Sequence, residues 1–447
     1  MAISPSASAA ASVLAAPVSS RSQTSAVPSS GLSRLAIASS WLQEFSLYLM
    51  FLLLPFSKAV IEISSTLLVI GWVVDRLNPL TRRGTVWLLP SLRSVALWLT
   101  AFFLACAASI VVSSQPHLGL TALFFKWGQY LMLMVIGADL SSKPRVMSRL
   151  LGVMAVSSGF VVFECLWQER YHTGFFMGRR LDFFSRMTGP YENPIDLGTY
   201  LMVSVPILFT WLVTRRWWLQ APLWILLVAL LGCLGRTESF GPILGLGLAL
   251  SLVVVLSRRR SIRVLGTVAL VTGVVAWSLF RGSAGVRDAL SPAEFGKKDR
   301  LNMWQAALGM IRDRPILGHG LNTFMANYLH YWVGGERQPR YAHNCYLQMA
   351  AETGIVGLVA FAGLLIQMFL AMARSAWRHP HEARRLWLVG CFAGLIAFAA
   401  QSAIDTNFYS LRQAALFWSV AGLALGLSSL GAEVQAPRQP IPAAEVS

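Results

Sequence analysis

Four short stretches gather the side chains of this 447-residue sequence that could hold an anion or move a proton. "RMTGPYENPIDLG" (186–198) offers Arg186, Tyr191 and Asn193 around a turn fixed by Pro190, Pro194 and the glycines. "LGRTESFGP" (234–242) carries Arg236 as the one cation of a short turn, with Glu238 beside it. "DRLNMWQAALGMIRDRPILGHGLNTF" (299–324) holds Arg300 near its start and His319 between Gly318 and Gly320, glycines that permit a tight turn. "YAHNCYLQMAAETGIVGL" (341–358) crowds Tyr341, His343, Asn344, Tyr346, Gln348 and Glu352 ahead of an apolar run. An arginine fork can grip two phosphate oxygens at once. An imidazole can accept a hydroxyl's proton or orient that hydroxyl.

Each stretch also has a plain structural account. The first is a turn ahead of a helix, and the second an exposed Arg–Glu pair contributing about 0–1 kcal/mol. His319 could be a loop histidine satisfied by its own neighbours. In the last stretch Asn344, Glu352 and Thr353 could satisfy the first N–H groups of a helix.

The elements that must position these residues follow from composition. Apolar residues make up 55% of the chain and charged residues 13%, with a mean hydropathy of +0.57. Apolar runs of about 20 residues, enough to cross a bilayer, recur along almost the whole sequence. The expected fold is an all-α polytopic membrane protein, one bundle with about twelve transmembrane helices. Hydropathy places them near 41–57, 59–75, 94–113, 118–138, 147–167, 196–213, 217–234, 239–257, 263–280, 353–373, 386–404 and 411–430. Residues 1–40 and 431–447 are expected to be disordered cytoplasmic tails; no Lys or Arg precedes Arg21, so the positive start of a signal peptide is missing. Spans one to nine occupy 41–280, a helical loop 281–352, and spans ten to twelve 353–430.

The net charge of +17 does not point to nucleic acid, because the basic residues are scattered through short loops with no continuous patch. Their alternation orients the chain instead. Arg76, Arg82, Arg83 and Arg93, Lys143, Arg145 and Arg149, Arg215 and Arg216, Arg258–Arg260 and Arg263, and Arg374, Arg378, Arg384 and Arg385 fall in alternate loops. They assign that side, and both termini, to the cytoplasm. Two loops of the other side carry cations all the same: Arg170, Arg179, Arg180 and Arg186 in one, and Arg281, Arg287, Lys297, Lys298, Arg300, Arg312, Arg314, Arg337 and Arg340 in the long one between spans nine and ten. Together they describe an outer surface suited to an anion. Glu62, Lys126 and Glu164 fall in the outward halves of their spans. Such groups face a cavity or pair with one another between helices.

The long loop has its own pattern. Leu301, Trp304, Leu308 and Ile311 share one face at helical spacing, which predicts an amphipathic helix lying on the bundle or the membrane interface. "RPILGHG" breaks it, and "LNTFMANYLHYW" predicts a second helix, the two forming a cap over the cavity. The five cysteines lie mostly in apolar segments without a CxxC pair and read as small apolar side chains, with no metal site among them.

"RLNMW", "DRPILGHGLNTF", "HNCYLQMAAETGIVGLVAF" and the turn "GPYENPIDLGTYL", in that setting, resemble the O-antigen ligase and polymerase superfamily of bacterial envelope enzymes. The resemblance spans roughly 40–430 and is most specific from 186 to 358. It implies metal-independent glycosyl transfer at the periplasmic face of the inner membrane, with no cofactor. The implied donor is a glycan on undecaprenyl pyrophosphate, and the acceptor a lipid A–core sugar for a ligase or another lipid-linked repeat for a polymerase. The family's two arginines and histidine carry over to Arg236, Arg300 and His343 as catalytic residues, with Arg186, Tyr191, Asn193, His319 and Asn344 as substrate contacts. Arg236 departs from the pattern: the family shows Ser-Arg-Gly where this chain has Ser239-Phe240-Gly241. A helical segment would bring Arg236 to the same face; otherwise Arg186 supplies the charge.

Departure of a lipid pyrophosphate builds negative charge, and no DxD pair is present to bridge a metal. One arginine–phosphate contact at about 4 Å is worth about 4 kcal/mol at an effective dielectric near ~20, before desolvation. Only the part gained in the transition state accelerates the chemistry. The competing class is a lipid transporter or flippase, which would carry polar groups along the whole path and a pair of broken helices at the midplane. Here the ionisable groups keep to the outer half.

Overall fold

The computed structural model describes residues 31–81, 90–141, 143–181, 185–280, 295–334, 337–338 and 341–433. Long helices dominate: α1 Gly31–Leu53, α2 Lys58–Leu77, α3 Pro90–Val111, α4 Pro116–Ser141, α5 Pro144–Tyr171, α6 Pro194–Leu212, α7 Trp217–Arg236, α8 Phe240–Leu256 and α9 Arg260–Phe280. After them come α10 Phe295–Asp313, the single turn α11 Phe324–Asn327, α12 Cys345–Arg378, α13 Glu382–Gln401 and α14 Leu411–Glu433. No strand occurs among the described residues; Thr173 and Arg180 form one isolated bridge. Starts are written in the sequence. Proline occupies the first turn of α4, α5 and α6, and the side chains of Ser57, Asn193 and Asn344 accept N–H groups at the heads of α2, α6 and α12.

Among the described residues nine helices are long and apolar enough to cross a membrane: α1, α3 to α7, α12, α13 and α14. This is an all-α multi-pass membrane protein. The other three segments expected to span, α2, α8 and α9, are helical but fall outside that group. α8 has 17 residues, and α2 carries Lys58, Glu62, Asp75 and Arg76. α6 and α14 are enclosed almost throughout, whereas α7 turns most of its length outward. α14 lies close against α4: a Cβ on Gly137 would sit 3.2 Å from the Ser419 carbonyl oxygen. Small residues permit such approach where lipid supplies no hydrophobic drive.

Side-chain bonds identify the two ends of the bundle. At one, Arg385 donates to the Leu256 carbonyl (3.0 Å), Arg258 to Trp377 (2.6 Å) and Arg259 to Val213 (3.2 Å), while Arg76 pairs with Asp139 at 2.5 Å. At the other, Arg412 donates to the carbonyls of Pro55 (3.2 Å) and Pro190 (3.0 Å), and Leu321 N–H to Ser109 Oγ (3.2 Å). The α1–α2, α5–α6 and α13–α14 connections and the α10–α12 layer meet there.

Four expectations change. Residues 31–40, expected within the tail, are helical. The rest of both tails, Arg82, Arg83, Arg281, Arg287 and Arg340 lie outside the described residues. On α10 the packed face is Met303, Ala306, Ala307 and Met310, while Leu301 (55% exposed) and Leu308 (41%) point away. Alanines let α10 approach Phe324, Tyr328 and Ala351 more closely than the larger stripe would. The second loop helix shrinks to α11 and a 3₁₀ turn, Tyr328–Tyr331. Span ten begins earlier, at Cys345, and breaks at Gly354 (φ 66°, ψ −171°).

Candidate active site

The break in α12 organises this end of the bundle. Helical bonding lapses there, and the loop 315–320 supplies replacements: Ile355 N–H donates to Pro315 O (2.8 Å), His319 N–H to Ala351 O (3.0 Å) and Gly320 N–H to Glu352 O (2.8 Å). Gly318 (φ 66°) lies against the Glu352 backbone with no room for a side chain. Glu352 itself is fully enclosed and accepts four bonds. Oε2 takes Asn322 N–H (2.8 Å) and Tyr409 OH (3.2 Å); Oε1 takes Phe324 N–H (3.3 Å) and Gln348 Nε2 (3.1 Å). It therefore braces the neighbouring loop, contrary to the expectation that it caps its own helix. Thr353 Oγ1 likewise bonds back to Met349 O at 2.7 Å. The capping expectation holds for Asn344, whose Oδ1 accepts Tyr346 and Leu347 N–H at 3.0 Å each.

His343 precedes that cap with φ 49°, in the left-handed region. Its Nδ1 lies 3.5 Å from Asp405 Oδ1, and its side chain keeps 28% exposure. Asp405 comes from the α13–α14 connection, which is fastened to the head of α12: Cys345 N–H donates to Ser402 O (2.8 Å) and Cys345 Sγ to Asp405 O (3.2 Å). Asp405 Oδ1 is aimed by Thr406 N–H at 2.8 Å. Beside this pair the rings of Tyr341 and Tyr409 lie 5.9 Å apart. Burial, followed by the Glu352 charge, raises both phenols above their ordinary range.

The arginine candidates lie in two places. Arg236 ends α7, and α8 begins only at Phe240 after a turn in which Glu238 adopts φ 48°. No continuous helix joins Arg236 to position 240, so the same-face substitution fails. The partner of Arg236 is Glu169, not Glu238, in a half-exposed bidentate pair at 2.6 and 3.3 Å. Met187 N–H donates to the Arg236 carbonyl at 3.0 Å, so Arg186 and Arg236 are neighbours. Arg300 sits on α10, partly exposed. No described bond links it to Arg236 or His343.

The remaining contacts are structural in this state. Tyr191 is buried under Arg412, whose guanidinium carbon lies 5.3 Å from its ring centre. Asn193 caps α6, accepting Asp196 N–H at 2.8 Å. His319 is buried with Nε2 3.1 Å from Met310 O and 3.4 Å from Tyr331 OH, and burial holds it below the usual imidazole range. Of the three charges expected to face a cavity, Glu164 accepts the Phe175 and Phe176 N–H groups (3.0 Å each) and Glu62 lies on an exposed helix face. Lys126 alone reaches the Tyr341–Tyr409 cluster.

Asp405, Glu169 and Arg412 escaped the sequence. Asp405 lies in the short stretch "DTNFYS", which carries no positive charge and no motif that would single it out. Arg412, an ionisable residue at the head of an apolar span, carried a signal that could have been followed.

The fold and this site describe a multi-pass helical membrane protein with an imidazole–carboxylate pair at the end of the bundle that also holds Arg186, Arg236 and Arg300. Residues 224–362 match the family model described as O-antigen ligase. The matched segment runs from α7 past the break in α12 and includes Arg236, Arg300, His319 and His343. The match agrees with the likeness to the O-antigen ligase superfamily of glycosyltransferase-like membrane enzymes read from the sequence, and covers this segment of the chain. No curated protein gives a significant match to the chain.

Proposed function

We propose that this protein transfers a glycan from undecaprenyl pyrophosphate to a sugar hydroxyl of lipid A–core, as an O-antigen ligase of the bacterial inner membrane. In this reading both termini are cytoplasmic and the active site faces the periplasm. The observation that carries it is the His343–Asp405 pair, with the imidazole partly exposed, at the end of the bundle that also holds Arg186, Arg236 and Arg300.

His343 accepts the proton of the attacking hydroxyl through Nε2, while Asp405 at Nδ1 fixes the ring and stabilises the imidazolium that forms. The 3.5 Å separation is the loose geometry common before substrate binds. The hydroxyl oxygen attacks the anomeric carbon, and the bond to the pyrophosphate oxygen breaks. Negative charge then grows on the leaving group, where arginine forks stabilise it without a metal. The Arg236–Glu169 pair is exposed enough to be worth no more than about 1 kcal/mol, so exchanging Glu169 for a phosphate costs little. Arg186, adjacent through Met187, is the alternative first arginine, and Arg300 the second. Tyr191 and His319, both buried, meet substrate in this reading only if the loops that hold them rearrange, whereas Asn193 is exposed and Asn344 partly exposed where they cap their helices.

The test is glycan transfer by purified protein in detergent with a chelator present. His343→Ala and Arg300→Ala should abolish it. Full activity in either variant, or strict metal dependence, would overturn the assignment. Supplying lipid-linked repeats without lipid A–core separates the second reading: chain elongation would mark a polymerase. Accumulation of untransferred lipid-linked glycan in a deletion strain would support an enzyme; loss of donor from the outer leaflet would support a flippase.

A further inference from the structure

Lys126 stands in the one π-helical turn among the described residues, Leu123–Gly128, within α4. A π turn adds a residue to the helical circuit and recurs at functional sites, because it pushes one side chain out of the regular packing. Here that side chain is a lysine in the middle of an apolar span. Its Nζ lies 5.2 Å from the centre of the Tyr409 ring and 5.9 Å from that of Tyr341. No described residue accepts a hydrogen bond from its three N–H groups. Glu352, the nearby carboxylate, has both oxygens engaged by four other donors. Beside it, the Tyr130 hydroxyl and the Trp127 indole N–H are enclosed without a hydrogen-bond partner. A half-buried cation with free donors, flanked by tyrosine faces, is chemically suited to an anion.

The position narrows which anion. Lys126 is ten residues into α4, about 15 Å along its axis, and Tyr341 still reaches it. Tyr341, two residues before His343, thereby brings the candidate site to Lys126. A cation at this place in an apolar span suits a phosphate carried on a lipid.

We propose that Lys126, presented by the π turn between Tyr341 and Tyr409, binds the diphosphate of a lipid-linked substrate as a further cationic contact besides the arginines. The assignment rests on the transfer reaction proposed above and extends its donor site into the bundle. Lysine suits this position as a compact point charge with three donors, able to follow the diphosphate as it leaves.

The test uses full-length protein in phosphatidylcholine nanodiscs and radiolabelled geranylgeranyl diphosphate, with geranylgeraniol and inorganic pyrophosphate as controls. Lys126→Met should weaken diphosphate binding tenfold or more, Lys126→Arg should retain most of it, and the alcohol should bind neither. In glycan transfer Lys126→Met should raise KM for the donor more than it lowers kcat. Unchanged binding and KM in a Lys126→Met protein with the Tm of the native chain would overturn the proposal. Should that variant misfold, acylation of Lys126 in the native chain decides: protection by geranylgeranyl diphosphate supports the site, and no protection overturns it. Displacement by an equal concentration of phosphatidylglycerol would assign the site to an ordinary lipid headgroup and overturn the diphosphate. Diphosphate binding that depends on Lys126 without any glycan transfer would overturn the proposed reaction and leave this site standing.

Discussion

At the scale of residues, the distinguishing feature is His343 in a left-handed backbone conformation, uncommon outside glycine although histidine, like Asn and Asp, adopts it more readily than most. The twist turns its ring toward Asp405 on a different connection. Asp405→Asn should keep the fold and lower kcat about 10²-fold, the lower part of the range for acid–base groups. An unaltered rate in that variant would show that the carboxylate only closes a loop. The two neighbouring arginines make a second prediction. Arg236→Ala and Arg186→Ala should each weaken transfer, and the double variant should fall short of the sum of the two effects if they serve one phosphate, as residues sharing a partner do. Full additivity of the rate effects would place them in separate roles.

Among the elements, the break in α12 and the loop that meets it form one unit. Gly354 lies in a region of backbone space almost confined to glycine, and its surroundings leave no space for a Cβ. Gly354→Ala should lower stability by at least about 1–3 kcal/mol, visible as a fall in Tm in detergent. His319 gives this unit a pH dependence. Burial disfavours its charged form, so the unfolded chain binds the proton more tightly than the folded one. The stability it contributes is present above the ordinary imidazole pKa of about 6.5 and declines as pH falls below that value. The drop in Tm between neutral and mildly acidic buffer should shrink in His319→Gln; an identical drop would assign the sensitivity to other groups. The helices themselves were largely legible in sequence, because apolar runs, Pro at first turns and Asn or Ser caps are local signals. The packed face of α10 was not. Leu301 and Leu308 looked like the buried stripe, but Ala306 and Ala307 won because close approach to α12 favours small side chains.

For the molecule as a whole, the two ends of the bundle differ in chemistry. One is fastened by arginines bonding to helix-terminal carbonyls; the other collects the His–Asp pair, the buried glutamate and the lysine of the π turn. Cysteines introduced singly at Glu192 and at Arg258 should react with an impermeant thiol reagent from opposite sides, Glu192→Cys from the periplasm and Arg258→Cys from the cytoplasm. Labelling of both from one side would overturn the orientation.

The amino-acid sequence by itself determined that this chain is a helical membrane protein, which segments form helices, and which motifs resemble the O-antigen ligases. These depend on hydropathy and local hydrogen bonding, properties of neighbours along the chain. It also singled out His343. Only the tertiary structure decided what His343 faces, that Glu352 braces a loop rather than capping a helix, that Arg236 answers to Glu169, and that Lys126 has aromatic neighbours but no carboxylate bonded to it. Each of those joins residues from about 30 to nearly 300 positions apart. The partner of a charge is set by how helices cross and how connections fold back over them, and no local pattern records that.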